Sequence, residues 1–95
     1  MSRVVQRGGL RAILHVFVDS NSLEKVAREI TKIPEVVDVY EVTGEFDIVA
    51  IIMSPGIEQF RELLKDKILK MPGVKSAVTS IVLYTYKKDG VETGE

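Results

Sequence analysis

The stretch VTGEFDIVAIIM, residues 42–53, ends in an apolar run that lacks the alternation of a half-buried strand. Successive side chains of a strand point to opposite faces, so an apolar run makes both faces of the strand apolar. One face would carry Phe46, Ile48, Ala50 and Ile52, and the other Val49, Ile51 and Met53. The pattern therefore predicts a strand that is covered on both sides.

Two kinds of segment alternate along the rest of the chain. Runs of β-branched and aromatic residues predict three more strands, at 11–19, 35–42 and 74–86. Apolar residues at helical spacing predict two helices, at 22–33 and 57–71, each ended by a proline. The inward residues of the first helix would be Leu23, Val26, Ala27, Ile30 and Ile33, and those of the second Ile57, Phe60, Leu64, Ile68 and Met71. Candidate N-caps for the first helix are Asp19, Ser20, Asn21 and Ser22.

The order of elements is therefore β-α-β-β-α-β, an α+β arrangement of the ferredoxin-like kind. Right-handed crossovers place both helices on one face of a four-stranded antiparallel sheet. The segments KIPEVVDV and KMPGVKSA, which start at residues 32 and 70, echo each other as the two halves of such a fold would. We expect a single domain over residues 1–95, with an ordered core over about 10–87 and a polar tail over 88–95.

The second face of this sheet needs a cover that two helices on the first face cannot supply. It would be apolar in the third strand and partly so in the first, where Ile13, His15 and Phe17 alternate with Leu14, Val16 and Val18, and in the last. A continuous apolar sheet face is larger than a monomer usually exposes. We therefore expect two copies to pack face to face, as a dimeric α+β barrel. The alternative is a monomer that leaves this face partly exposed.

Charge and composition narrow the class of protein. The chain has 13 basic and 14 acidic residues and a formal net charge of -1, so it lacks the positive field of a DNA-binding protein. It contains no cysteine, which excludes disulfides, thiolate metal sites and a cysteine nucleophile. Neither a signal peptide nor a run long enough to span a bilayer is present. We expect a cytoplasmic protein with no membrane partner.

Residues that could carry catalysis are few. The single histidine, His15, lies among apolar residues of the first strand, where a structural role is the ordinary interpretation. Two carboxylate pairs lie close in the sequence, Asp38 with Glu41 and Glu45 with Asp47. Glycosidases use pairs of the same residue types, but the residue types are the only similarity. No phosphate-binding loop is present, and no cofactor or metal is expected. The sequence therefore predicts a protein that is not an enzyme, with an α+β barrel enzyme using His15 as the less favoured alternative.

Two tyrosines near the end of the last strand admit two interpretations. Tyr84 and Tyr86 could stack on RNA bases, as aromatic residues do in ferredoxin-like RNA-binding modules. They lack an aromatic neighbour on the partner strand and a basic surround in the sequence. We therefore favour a position at the edge of the dimer.

The turn TGEFD, residues 43–47, is the most specific feature of the sequence. Gly44 suits a tight turn with Glu45, because glycine adopts a positive φ without a Cβ clash. Asp47 is unusual, since it opens an apolar strand where an unpaired carboxylate would be costly to bury. Its carboxylate is therefore expected to be hydrogen-bonded or paired.

Three pieces of the sequence resemble the effector-binding domain of the Lrp/AsnC regulators, also called the regulation-of-amino-acid-metabolism domain. They are VTGEFDIVAIIM, the helix end KMPGV and VTSIVL in the last strand, in the order and spacing of that family. The resemblance covers residues 10–87. It implies a face-to-face dimer, commonly assembled into an octamer-like ring, that binds an amino-acid effector between dimers.

The resemblance also implies a position for the effector, beside the hairpin turn. The turn residues of the site would be Gly44, Glu45, Phe46 and Asp47. The last strand of the family usually offers two threonines, for which this chain has Ala77 and Thr79, so one hydroxyl is missing. Leu63 and Lys67 of the second helix would lie near the effector's side chain. An acidic residue of the turn would bind the ammonium of the amino acid.

Family regulators also carry an N-terminal helix-turn-helix domain, for which the ten residues before the first strand leave no room. We therefore expect a stand-alone effector domain that joins full-length Lrp/AsnC relatives and does not itself bind DNA. The predicted function is a non-enzymatic amino-acid-sensing and oligomerisation module. The alternative is a purely structural assembly domain with a vestigial effector site.

Overall fold

The computed structural model describes residues 9–43 and 47–94. Its main elements are β1 (Leu10–Val18), α1 (Leu23–Thr31), β2 (Val36–Glu41), β3 (Ile48–Ser54), α2 (Ile57–Leu63) and β4 (Val74–Ile81). The four strands form one antiparallel sheet in the order β2-β3-β1-β4. The predicted ferredoxin-like α+β fold is confirmed. In the described part of the chain, no helix is long and apolar enough to cross a membrane.

The core lies between the sheet and the two helices. Along β1 and β3, every second side chain points to the helices and is buried, as the pattern of the predicted third strand requires. The buried apolar residues of these strands are Ala12, Leu14, Val16, Val18, Ile48, Ala50 and Ile52, and the helical segments add Val26, Ile30, Phe60, Leu63 and Ile68. Full burial of one such aliphatic or aromatic side chain contributes about 1.5–3 kcal/mol. This layer therefore dominates the stability of the domain.

The opposite side of the sheet, here named the open face, is apolar along its centre. The central strands contribute Ile13, His15, Phe17, Val49, Ile51 and Met53, and the edge strands contribute Tyr40 and Val78 together with the polar Asp38, Ser76 and Ser80. The side chains on the two central strands are half-buried, whereas Tyr40 and Val78 near the edges are 53% and 48% exposed. Both helices pack on the other side of the sheet, so they leave this face uncovered.

The second helix differs from its prediction in which side chains it buries. Ile57, expected to point inward, is 55% exposed, while Leu63, which lies off the expected stripe, is buried. Ile57 is the first residue of α2. After Leu63 the helix continues in a π-helical turn at Leu64–Ile68, closed by a 2.9 Å hydrogen bond from the Leu69 N–H to the carbonyl five residues earlier. This turn adds a residue to the helical repeat. Leu63 and Ile68 therefore both reach the core.

The last strand of the sheet is shorter than predicted. β4 ends at Ile81 rather than at residue 86. The Val82 N–H still donates to the Arg11 carbonyl at 2.9 Å, and beyond this bond the chain leaves the sheet. Because β1 begins at Leu10, a longer β4 would soon have no residues of β1 to pair with.

The predicted polar tail forms regular structure. Lys87–Lys88 (β5) pairs with Val91–Glu92 (β6) in a small antiparallel hairpin. The turn residues Asp89 and Gly90 have φ of 51° and 81°. Positive φ at both positions is the mark of a type I′ turn, which the Asp-Gly pair favours and which fits the twist of paired strands.

The hairpin between β2 and β3 closes at Asp47. The Val42 N–H donates to the Asp47 carbonyl at 3.1 Å. The predicted turn residues Gly44 and Glu45, and Phe46 of the predicted third strand, lie outside the described residues. Asp47 therefore stands directly before β3, at one end of the sheet.

Candidate functional site

A polar pocket lies at the end of the sheet where β1 stops and β3 and β4 start. Among the described residues it is lined by Val18, Asp19, Ser20, Asn21, Leu23, Asp47 and Lys75. Its volume is about 650 Å³, within the range of small-molecule sites. Two carboxylates, an ammonium, an amide and a hydroxyl therefore surround one space, with Leu23 as an apolar contact.

Asp47 combines a structural hydrogen bond with a place in this pocket. Its Oδ2 accepts a hydrogen bond of 3.2 Å from the Val18 N–H. In the described residues the ladder between β1 and β3 ends with Val16 opposite Ile48, so this N–H lies past the last strand pair. The expectation that the Asp47 carboxylate is hydrogen-bonded is confirmed.

A short 3-10 turn, Ser20–Ser22, brings further polar residues to the pocket. The Asp19 N–H donates to the Gly73 carbonyl at 2.9 Å, and the Ser22 N–H donates to the Asp19 carbonyl at 2.8 Å. Gly73 directly precedes β4, so its carbonyl sets the turn against the start of the strand that carries Lys75. Two of the candidate caps occupy cap positions, Asp19 before the 3-10 turn and Ser22 before α1, but neither side chain makes the expected capping hydrogen bond.

The pocket carries charges of both signs. Asp19 and Lys75 are exposed, and Asp47 is half-buried. No ion pair joins Lys75 to either carboxylate in the part of the chain that the structure describes. These groups can therefore bind a ligand through charge-assisted hydrogen bonds without first breaking a salt bridge.

The other predicted site residues lie elsewhere on the described chain. Ala77 and Thr79 are half-buried on the helix side of β4. Leu63 is 6% exposed and belongs to the core. Lys67 is exposed in the π-helical turn. None of these four lines the polar pocket, and a contact with an effector stays a prediction for each.

Among the described residues, the candidate catalytic side chains do not converge; Glu45 lies outside the described ranges. Asp38 and Glu41 lie three residues apart on β2, so their side chains point to opposite faces of the sheet. The neighbours of His15 across the sheet are the aliphatic side chains of Val49 and Val78. Within the described ranges, no group of three or more metal-ligating side chains is found.

Sequence reasoning missed Asp19, Ser20, Asn21 and Lys75 as pocket residues. The sequence pattern presents the first three as candidate helix caps, and Lys75 lies within the predicted last strand without any distinguishing signal. One signal could have found them. In an antiparallel sheet, the end of β1 lies beside the starts of β3 and β4, so polar residues at those positions share one edge.

Replacing Asp47 with alanine should lower the free energy of unfolding by about 1–2 kcal/mol, because the Val18 N–H loses its acceptor. Asp47→Asn keeps an amide oxygen that can accept the same bond, so it should lose less. Chemical denaturation of both variants measures the two changes. An Asp47→Ala variant as stable as the parent chain would contradict this structural role.

The sequence matches a known family along nearly its whole length. The family described as the Lrp/AsnC ligand binding domain matches residues 11–92. The chain therefore belongs to the Lrp/AsnC family, as the resemblance of its turn, helix end and last strand implies.

Relatives with curated descriptions are named as transcriptional regulators. The HTH-type transcriptional regulator FL11 of Pyrococcus horikoshii is 39% identical over 77 residues, which are 81% of this chain and 50% of the regulator. The chain spans about half the length of the curated relatives it matches.

Solved structures share the fold. Transcriptional regulator NMB0573 from Neisseria meningitidis, in a complex with L-Met, has a TM-score of 0.85 at 24% identity, covering 98% of this chain and 64% of that chain. The crystal structure of TTHA0845 from Thermus thermophilus has a TM-score of 0.78 at 25% identity, covering 83% of this chain and 99% of that chain. The same fold thus occurs within a longer chain and as nearly the whole of another.

Proposed function

We propose that this chain senses a free amino acid on behalf of a Lrp/AsnC transcriptional regulator. The amino acid would bind at the polar pocket and the adjoining hairpin turn. The main observation in support is that Asp19, Asp47 and Lys75 line one pocket. Asp47 is also the last residue of the TGEFD turn, where the family resemblance implies the effector site. The complex of the regulator NMB0573 with L-Met supports this class of ligand.

A free amino acid is a zwitterion, so its site needs groups of both signs. Asp19 and Asp47 can accept charge-assisted hydrogen bonds from the ammonium, and Lys75 can donate to the carboxylate. Leu23 offers an apolar contact for the ligand's side chain. Because Asp47 also accepts from Val18, a bound amino acid would link the end of β1 to the start of β3.

We further propose that the open face is covered by the open face of a second copy. An apolar surface across both central strands is larger than a monomer usually exposes, and face-to-face packing would bury it. Such dimers would assemble further, among themselves and with full-length Lrp/AsnC relatives, with the effector between dimers. An amino acid would then shift the balance between assemblies by as much as its affinities for them differ.

A thermal-shift scan with each of the standard amino acids at millimolar concentration tests the sensing proposal. A ligand at about a hundred times its dissociation constant should add about 2.7 kcal/mol and raise the melting temperature by roughly 10–20 °C. Lys75→Gln should abolish the shift, because it removes the charge that binds the carboxylate. Lys70→Gln is the matched control, since Lys70 is an exposed lysine that does not line the pocket.

A scan in which no amino acid changes the melting temperature would contradict the sensing proposal. It would favour the second candidate function, a structural assembly domain with a vestigial effector site. One residue supports that alternative: Ala77 stands where the family resemblance implies a threonine hydroxyl.

A further inference from the structure

The C-terminal arm, residues 82–94, holds its shape through contacts of its own. The Thr93 N–H donates to the Tyr86 carbonyl at 2.9 Å, and the Tyr84 hydroxyl donates to the Gly94 carbonyl at 2.7 Å. The rings of Tyr84 and Tyr86 pack edge to face, with centroids 4.8 Å apart. The arm is therefore a preformed element attached to the end of β4.

Arg11 of β1 lines two clefts beside this arm. One has a volume of about 330 Å³ and the other of about 570 Å³, and both also include Val82, Tyr84 and Thr85 of the arm. The Val82 N–H donates to the Arg11 carbonyl at 2.9 Å, so the strand and the arm are fixed to each other at this point. Because the clefts share these residues, they adjoin at Arg11; together they are named the arm cleft.

The guanidinium of Arg11 is available to a ligand of the arm cleft. Its side chain is half-buried and takes part in none of the ion pairs found in the ranges that the structure describes. Of the other cations of the cleft, Lys88 is paired with Asp89 at 3.1 Å, and Lys87 is exposed. A guanidinium presents its donors in a planar fork that fits a carboxylate with two parallel hydrogen bonds. Arg11 can therefore bind a carboxylate without first leaving another one.

Most other walls of the arm cleft are apolar or aromatic. They include Ile13, Ile51, Met53 and all three tyrosines of the sequence, Tyr40, Tyr84 and Tyr86. Aromatic rings pack favourably on one another with centroids about 4.5–7 Å apart, and they also stack on a guanidinium. The arm cleft therefore suits a carboxylate that is attached to a flat apolar body.

One carboxylate of the protein, Asp38, also lines the arm cleft and limits the charge of a ligand. Asp38 lies opposite Ile51 on β3, and Arg11 lies opposite Met53, so Asp38 and Arg11 are two strands and two residues apart. At about 4.8 Å per strand and 3.4 Å per residue, their Cα atoms are roughly 12 Å apart. A second negative charge at the far end of a ligand bound to Arg11 would therefore be repelled.

We infer that the arm cleft binds a small aromatic monocarboxylate, with the carboxylate on the Arg11 guanidinium and the ring against the tyrosines. Such an acid needs no ammonium, so it differs in class from a free amino acid. The arm cleft lies at the Arg11 end of β1 and the polar pocket at the Val18 end, so the two sites are separate. The inference goes beyond the proposed sensing function and requires no second copy of the chain.

Isothermal titration calorimetry with sodium benzoate tests the site. Benzamide has the shape of benzoate without its charge, so it should bind the parent chain at least about tenfold more weakly. Arg11→Gln should weaken benzoate binding at least about tenfold for the same reason. Arg61→Gln is the matched control and should change nothing, because Arg61 is an exposed arginine of α2 that lines neither the arm cleft nor the polar pocket.

The dianion terephthalate tests the part assigned to Asp38. It carries a second carboxylate at the far end of the ring, so it should bind the parent chain more weakly than benzoate does. Asp38→Asn removes the repelling charge and should bring the two affinities closer together. An unchanged ratio of the two affinities in Asp38→Asn would contradict this arrangement of the ligand.

Three further outcomes would overturn the inference. One is the absence of any heat of binding with benzoate at millimolar concentration. Another is equal binding of benzoate and benzamide, since the charge of Arg11 would then have no use. The third is loss of benzoate binding in Lys75→Gln but not in Arg11→Gln, which would place the acid in the polar pocket. The thermal-shift scan uses amino acids and depends on Lys75, so either proposal can fail while the other stands.

Discussion

Replacing Gly73 with alanine should lower the free energy of unfolding by roughly 3 kcal/mol and the melting temperature by more than about 10 °C. Gly73 has a φ of 99°, a left-handed conformation that costs other residues about 1–2 kcal/mol. A Cβ at this position would also lie 2.6 Å from the Ser22 Cβ and 3.2 Å from the Val26 Cγ2. The start of α1 would therefore have to move. Thermal and urea unfolding measure the loss.

Two further variants separate the backbone cost from the steric cost. Gly90 also has a positive φ, 81°, but a Cβ there meets no atom within 4 Å, so Gly90→Ala should lose no more than about 1–2 kcal/mol. Ser22→Gly removes the Cβ that Gly73→Ala would strike, so the double variant should regain part of the lost stability. Equal losses for Gly73→Ala and Gly90→Ala would contradict the steric argument.

Ile52→Ala should cost about 2–5 kcal/mol, because it leaves a cavity in a core that cannot fully close around it. Ile52 is 0% exposed between the sheet and the helices. The adjacent Ile51 is the same residue type on the same strand, but it points to the open face and is half-buried. Ile51→Ala should therefore cost less within one protomer, about 1 kcal/mol. Chemical denaturation of the two variants measures the difference.

This pair of variants also reports on the covering of the open face. If a second copy covers Ile51, Ile51→Ala should destabilise the protein more at concentrations where dimers form than at high dilution. The loss from Ile52→Ala should persist at every concentration. Equal losses for both variants at every concentration would contradict the assignment of the two side chains to different faces.

Most of the fold can be predicted from local sequence pattern, because the spacing of apolar residues differs between the strands and the helices. Consecutive apolar residues such as Ile51 and Ile52 make both faces of a strand apolar, and Pro34 and Pro72 follow shortly after the two helical segments end at Thr31 and Ile68. The π-helical turn was not predictable in this way. A regular α-helix explains the apolar spacing of residues 57–71 as well as a helix with a π-helical turn does. Only the structure, in which Leu63 and Ile68 are both in the core, shows the additional residue in the turn.

The polar pocket was predictable only in part. Asp47 stands out in the sequence because a carboxylate that opens an apolar strand needs a partner, and the Val18 N–H supplies it. Asp19 and Lys75 are distant in sequence, and they meet because the Asp19 N–H donates to the Gly73 carbonyl at the start of β4. A run of polar residues after a strand is as typical of the N-terminal cap of a helix as it is of a binding pocket. Only the tertiary contact distinguishes a cap from a pocket.

The nine residues of β1 place the polar pocket and the C-terminal arm at opposite ends of one strand. At about 3.3 Å per residue these ends lie roughly 26 Å apart. A side chain substituted at one end therefore makes no contact with side chains at the other end. The effects of substitutions this far apart on stability are usually additive. A library of pocket variants can be screened for new ligands while the arm is left unchanged. Under the proposed function, the pocket could therefore be redesigned for other amino acids without a change at the far end of the strand.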